Sequence, residues 1–136
     1  MRILGLDTSL TGTGMALIDL ATWPPSNPPR AEGEPVSYEA QVVTVRAPKP
    51  GKDKSKRAMV RRVNALIEQI EWVFKDDKPE HVAMEALAYG ARGEGVWVLP
   101  WIFGRALELC ETYDVPVQVV STSGRAKFAA GKGNAD

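Results

Sequence analysis

The sequence predicts an α/β fold, a mixed sheet of five strands with helices packed on its faces. Three features predict it. An apolar run, Ile3-Leu4-Gly5-Leu6, ends on Asp7. A Gly/Thr/Ser turn then leads into a second run, Met15-Ala16-Leu17-Ile18, the pattern of a hairpin between two strands. From Ser55 onward, helical and strand-like patterns alternate. The resulting order, β-β-β-α-β-α-β-α, is an antiparallel meander continued by right-handed crossovers.

Each element has its own cause. Residues 21–35 carry Pro24, Pro25, Pro28, Pro29 and Pro35. Proline fixes φ and lacks the amide donor, so this stretch is expected to be a loop inserted between strands. Tyr38 to Arg46 holds Val42, Val43 and Val45 and reads as the third strand. Ala47 to Asp53, rich in proline, glycine and lysine, reads as loop. Ser55 to Lys75 is the clearest helix, because Met59, Val63, Leu66, Ile67, Ile70, Val73 and Phe74 recur at helical steps and make one apolar face. Glu80 to Glu85 reads as a short strand around Val82-Ala83-Met84 and again ends on a carboxylate. Leu87 to Gly95 is a glycine-bearing loop. A second helix follows from Gly95 or Val96 to Tyr113, with a kink expected near Pro100. Val115 to Val120 is the fifth strand, and Thr122 or Ser123 caps a short helix ending near Ala129 or Ala130.

Composition narrows the function. A chain of 136 residues suits one domain with one core. Basic and acidic residues both number 17, yet they are unevenly placed. Lys49 to Arg62 holds seven basic residues against Asp53 alone, whereas Leu66 to Glu94 holds seven acids against three bases. A concentrated basic stretch on a neutral chain is compatible with local binding of a polyanion. The longest strongly apolar stretch, Val96 to Phe103, is too short to span a bilayer, so no membrane partner is expected. No signal-peptide pattern opens the chain, and the single cysteine, Cys110, rules out an intrachain disulfide and a cysteine-based zinc site. A cytoplasmic location is expected, with Cys110 a core residue on a helix.

Asp7 and Glu85 end two strands that are remote in sequence. A carboxylate fixed on a core strand is costly to desolvate unless something positive meets it. Parallel neighbouring strands bring both acids to one sheet edge, where open α/β sheets bind ligands. A divalent cation relieves the repulsion between them, and oxygen-only donors favour Mg²⁺, with Mn²⁺ as a substitute. Such a centre suits metal-assisted hydrolysis of a phosphodiester. The plainer alternative has Asp7 capping the turn at Thr8-Ser9 and Glu85 paired with Arg92.

Lys52, Lys54, Lys56, Arg57, Arg61 and Arg62 fall in a loop and the first turns of a helix. Cations there oppose the helix dipole by about 0.3–1 kcal/mol each. Their presence points to phosphate contact, against the alternative of a solvated loop. Tyr89, Arg92, Arg125, Lys127 and Lys132 complete the candidate DNA-binding set, with Tyr89 able to stack on a splayed base. Trp97 and Trp101, four apart on a helix, read as packing residues in the core or against a partner subunit. His81 has no assigned role.

With Ile3-Leu4-Gly5-Leu6-Asp7, Gly12-Thr13-Gly14, Val82-Ala83-Met84-Glu85 and Gly131-Lys132-Gly133-Asn134-Ala135-Asp136 in this order, the chain resembles the RuvC family of Holliday-junction resolvases, in particular its phage or actinobacterial RuvC-like members. The likeness spans nearly the whole chain, with residues 21–35 as an insertion. It implies an RNase H-like fold with strand order 3-2-1-4-5. It also implies a Mg²⁺-dependent endonuclease that cuts branched DNA, as a homodimer bringing two sites to two strands. Asp7 matches the family's first-strand acid and Glu85 its fourth-strand acid. Tyr89 lies within one residue of the place where some members carry an aromatic that intrudes at the junction. The family's site is completed by further acids near the start of its last long helix, beyond the position matching Asp136. Without them, the chain is expected to be a truncated form or a variant with half a site, weak or inactive as a nuclease.

Two other function classes share parts of this pattern. A nucleotide phosphotransferase of the actin or sugar-kinase type also opens with strand, Asp, glycine turn and strand, but it needs two such domains closing on ATP. A non-catalytic RNase H-like module would bind DNA or a protein with its acids idle.

Overall fold

The computed structural model describes residues 1–20, 39–87, 90 and 92–130. The elements are β1 (Arg2–Asp7), β2 (Thr13–Asp19), β3 (Glu39–Val45), α1 (Lys56–Asp76), β4 (His81–Glu85), α2 (Gly95–Thr112), β5 (Val117–Val120) and α3 (Thr122–Ala130). The strands form one five-stranded sheet in the order β3-β2-β1-β4-β5. β2 pairs antiparallel with β1 and β3, whereas β4 pairs parallel with β1 and β5. This is the expected α/β architecture. The proline-rich stretch 21–35, Tyr38, Tyr89 and Lys132 lie outside the described residues.

Element ends differ from expectation by a residue or two, for local reasons. Ser55 is the cap of α1 rather than its first residue, because its side chain accepts the Ala58 N–H. The fifth strand starts at Val117, not Val115, because the Val115 amide is taken by the Cys110 carbonyl at 2.9 Å as α2 ends. α2 runs continuously through Pro100.

Strand alternation sends Leu4, Leu6, Met15, Val82 and Met84 to one face of the sheet. The apolar stripe of α1, centred on Val63, Leu66 and Ile70, packs there with Val98, Ile102, Ala106 and Cys110 of α2. Cys110 is buried, which pushes its thiol above the ordinary range. The Tyr113 hydroxyl donates to the Glu71 carboxylate at 2.7 Å and its ring meets Phe74, fastening the end of α2 to α1. The second face carries Gly5, Ala16 and Ala83 at its centre. α3 borders that face at the carboxyl ends of the parallel strands, where Arg125 reaches Glu85.

Candidate functional site

The register of β1 against β4 builds the site. The pairs run from Ile3↔His81 to Leu6↔Met84, so one further step aligns Asp7 with Glu85. Leu6 and Met84 point into the core, so the residues after them turn to the second face. Asp7 and Glu85 line one cleft of about 410 Å³ together with Gly14, Val42, Val120 and Arg125. Gly5, Ala16 and Ala83 form its shallow floor. Gly14 lies opposite Asp7, where a Cβ would come within 3.8 Å of the Asp7 Cβ, so glycine leaves the space beside the carboxylate open.

The turn after β1 is closed by Thr13 and not by Asp7. The fully buried Thr13 hydroxyl accepts the Ser9 N–H at 3.0 Å and donates to the Ser9 carbonyl at 2.6 Å. Among the described residues no hydrogen bond joins Asp7 to the turn. Asp7 is exposed at the strand end, so the desolvation cost expected of a core-strand carboxylate does not arise there. Glu85 is the enclosed member of the pair, with 21% of its side chain exposed. Its positive neighbour is Arg125, 3.1 Å away, and not the exposed Arg92. The strand periodicity marked both acids, but the role of Arg125 as the partner of Glu85 was missed. The signal lies in the short connection after β5: Val120 is aligned with Glu85, and α3 begins two residues later, so its first turn returns to the rim.

Among the described residues, no group of three or more His, Cys, Asp or Glu side chains gathers to hold a metal ion. The two carboxylates nevertheless fit a hard divalent cation, which takes oxygen donors and often completes its shell with water and substrate phosphate. A larger hollow of about 660 Å³ lies at the other end of the strands, around Met1, Ile3, Leu20 and His81, and none of its described lining residues carries a carboxylate.

The basic groups leave the sheet from the same end as the acids. β1, β3, β4 and β5 all run in one direction, so the loop before α1, the loop holding Arg92, and α3 with Arg125 and Lys127 all start at that edge. The Ala47 N–H donates to the Leu10 carbonyl at 3.1 Å, tying the basic loop to the turn after Asp7. Lys52, Lys54, Arg57 and Arg61 are exposed. Lys56 is engaged instead, 4.4 Å above the Trp97 ring and 3.5 Å from Glu94. Arg62 donates to the Pro48 carbonyl at 2.7 Å and so braces the loop against α1. Hydrogen bonds from Ser55 hold the Asp53 carboxyl below its usual range. Trp97 and Trp101 stack on each other with centroids 5.9 Å apart.

No protein-family model matches the chain, and no curated protein matches it. Solved structures do. RuvC of Thermus thermophilus superposes with a TM-score of 0.72 at 20% identity, covering 100% of this chain and 73% of that one. The T. thermophilus RuvC in complex with a Holliday junction substrate gives a TM-score of 0.72 at 19% identity, covering 100% of this chain and 72% of that one. The likeness shows the fold: the chain has the RNase H-like architecture of RuvC, with strand order 3-2-1-4-5.

Proposed function

We propose that the protein is a metal-dependent endonuclease that hydrolyses phosphodiesters in branched DNA, either Holliday junctions or related structures. In this reading Asp7 and Glu85 hold Mg²⁺, or Mn²⁺ in its place. The observation that carries it is the sharing of one cleft by two strand-end carboxylates from adjacent parallel strands. A divalent ion bound there supplies a Lewis acid for the phosphoryl oxygen and a water of lowered pKa. The chain's own residues supply the rest. Asp7 and Glu85 provide the anionic oxygens, and the small residues beneath them leave room for a nucleic-acid backbone. Lys52, Lys54, Arg57, Arg61, Arg92 and Lys127 supply phosphate contacts around the rim, with Lys56, Arg62, Tyr89 and Lys132 as further members of the DNA-binding set. Cutting two strands of a junction calls for two sites, and a homodimer supplies them. The exposed Val60, Val96 and Trp97 on the α1–α2 surface support such an association.

The single-turnover test uses protein in excess over a labelled four-way junction with Mn²⁺. Slow nicking is expected, abolished by Asp7→Asn and by Glu85→Gln, with junction affinity changed by no more than about fivefold because phosphate contacts dominate it. Retained cleavage in either variant contradicts the assignment. The lack of a third ligand among the described residues favours one alternative, a non-catalytic DNA-binding module. Tight junction binding without any nicking, unchanged in both variants, would establish that alternative.

A further inference from the structure

We propose that Arg125 is a displaceable counter-ion of the cleft. It holds Glu85 while no divalent cation is bound, is released when a cation takes that carboxylate, and then meets a phosphate of the nucleic acid. The inference rests on the reading of Asp7 and Glu85 as cation ligands.

The geometry is that of a latch and not of a permanent brace. One guanidinium nitrogen of Arg125, Nη1, reaches one oxygen of Glu85 at 3.1 Å. A guanidinium offers five donors, so a single hydrogen bond leaves most of its capacity unused. The Arg125 side chain is 60% exposed, and an ion pair with one member in water is weak and easily opened. The backbone beneath it is fixed. The Gly124 N–H donates to Ser121 Oγ at 3.0 Å, and the Arg125 N–H donates to the Ser121 carbonyl at 2.9 Å. A Cβ on Gly124 would fall 2.9 Å from Ser121 Oγ, so glycine permits this closure. The side chain therefore swings from an anchored base at the cleft wall.

Charge decides the direction of the swing. Asp7, Glu85 and Arg125 together carry one formal negative charge. Entry of a divalent ion reverses that sign, and the guanidinium is then repelled from the carboxylate it had paired with. A phosphodiester brings the negative charge that restores balance, and arginine is well shaped to take it. Cation loading and nucleic-acid capture are thereby coupled through one side chain.

The experiment is a calorimetric Mn²⁺ titration of the wild type and of Arg125→Gln, Arg125→Lys and Glu85→Gln. It is paired with junction binding in Ca²⁺ and in EDTA. Arg125→Gln is expected to tighten Mn²⁺ binding about fivefold, the scale of a partly exposed ion pair. Arg125→Lys, which keeps the charge, is expected to return toward wild type, and Glu85→Gln to lose the site. Junction affinity should fall about fivefold in Arg125→Gln with Ca²⁺ present and less than about twofold in EDTA, where the guanidinium is already engaged. Unchanged or weaker Mn²⁺ binding in Arg125→Gln, with the site still lost in Glu85→Gln, would make Arg125 a plain structural partner and overturn the inference. So would equal losses of junction affinity in Ca²⁺ and EDTA, which describe a fixed phosphate contact. Mn²⁺ binding that is absent from the wild type, or untouched by Glu85→Gln, removes the underlying cation site and this inference with it.

Discussion

Thr13 closes the turn beside a carboxylate that it never touches. Its buried hydroxyl engages both backbone groups of Ser9, while strand alternation after Leu6 turns Asp7 to the cleft. Thr13→Val keeps the shape and removes both bonds, so urea unfolding should show a loss of about 1–2 kcal/mol. Asp7 behaves differently. It is exposed, so Asp7→Asn should change stability by less than about 0.5 kcal/mol in the same measurement, and any loss of metal binding cannot then be ascribed to unfolding. The two acids were legible because each ends an apolar run. Their unequal surroundings were not, because enclosure of Glu85 depends on α3, which returns to the rim only in three dimensions.

At the scale of elements, α1 begins with the wrong charges for its dipole. Lys56 and Arg57 occupy its first turn, where no acid is present. Part of that cost is offset by the Ser55 cap and by Glu94 beside Lys56. In the proposed function, the exposed remainder meets phosphate. Replacing Lys52, Lys54, Arg57 and Arg61 together by Gln should lower the slope of log affinity against log salt by roughly 0.9 for each phosphate no longer neutralised. An unchanged slope returns the stretch to solvated surface. The junction of α1 with α2 makes a separate prediction. The bond to Glu71 pushes the Tyr113 phenol from 10.0 up to about 12. The same bond, aided by Lys75, lowers Glu71 from its ordinary value of 4.5. A raised phenol stabilises the fold fully below pH 10.0 and loses that contribution as pH rises through about 12. The lowered carboxyl contributes above 4.5 and loses its share as pH falls through its folded value. Absorbance titration should find Tyr113 ionising late, and Glu71→Gln should bring it back toward 10.0. The α1 stripe was legible from its spacing. This clasp was not, because Glu71 and Tyr113 are joined only when the two helices pack.

At the scale of the whole molecule, the decisive feature is that β4 joins the sheet beside β1 rather than beside β3. That crossover sets Asp7 and Glu85 side by side, and the basic loop before α1 leaves the sheet from the same edge. Element order and hydrophobic pattern made the mixed α/β sheet legible, but a parallel β4 could add beside β1 or beside β3, so the strand order came only from the family resemblance. None of the described helices is long and apolar enough to cross a membrane. The reading as a nuclease depends on a shared cation, and paramagnetic broadening by Mn²⁺ tests that most directly. Titrated into ¹⁵N-labelled protein, Mn²⁺ should first broaden the amides of Thr8, Gly14, Glu85 and Ala86 together, sparing Ile3 and His81 at the far ends of the same strands. Asp7→Asn or Glu85→Gln alone should remove the effect at all four. Broadening that appears at only one strand end, or that survives in either variant, would contradict a common site.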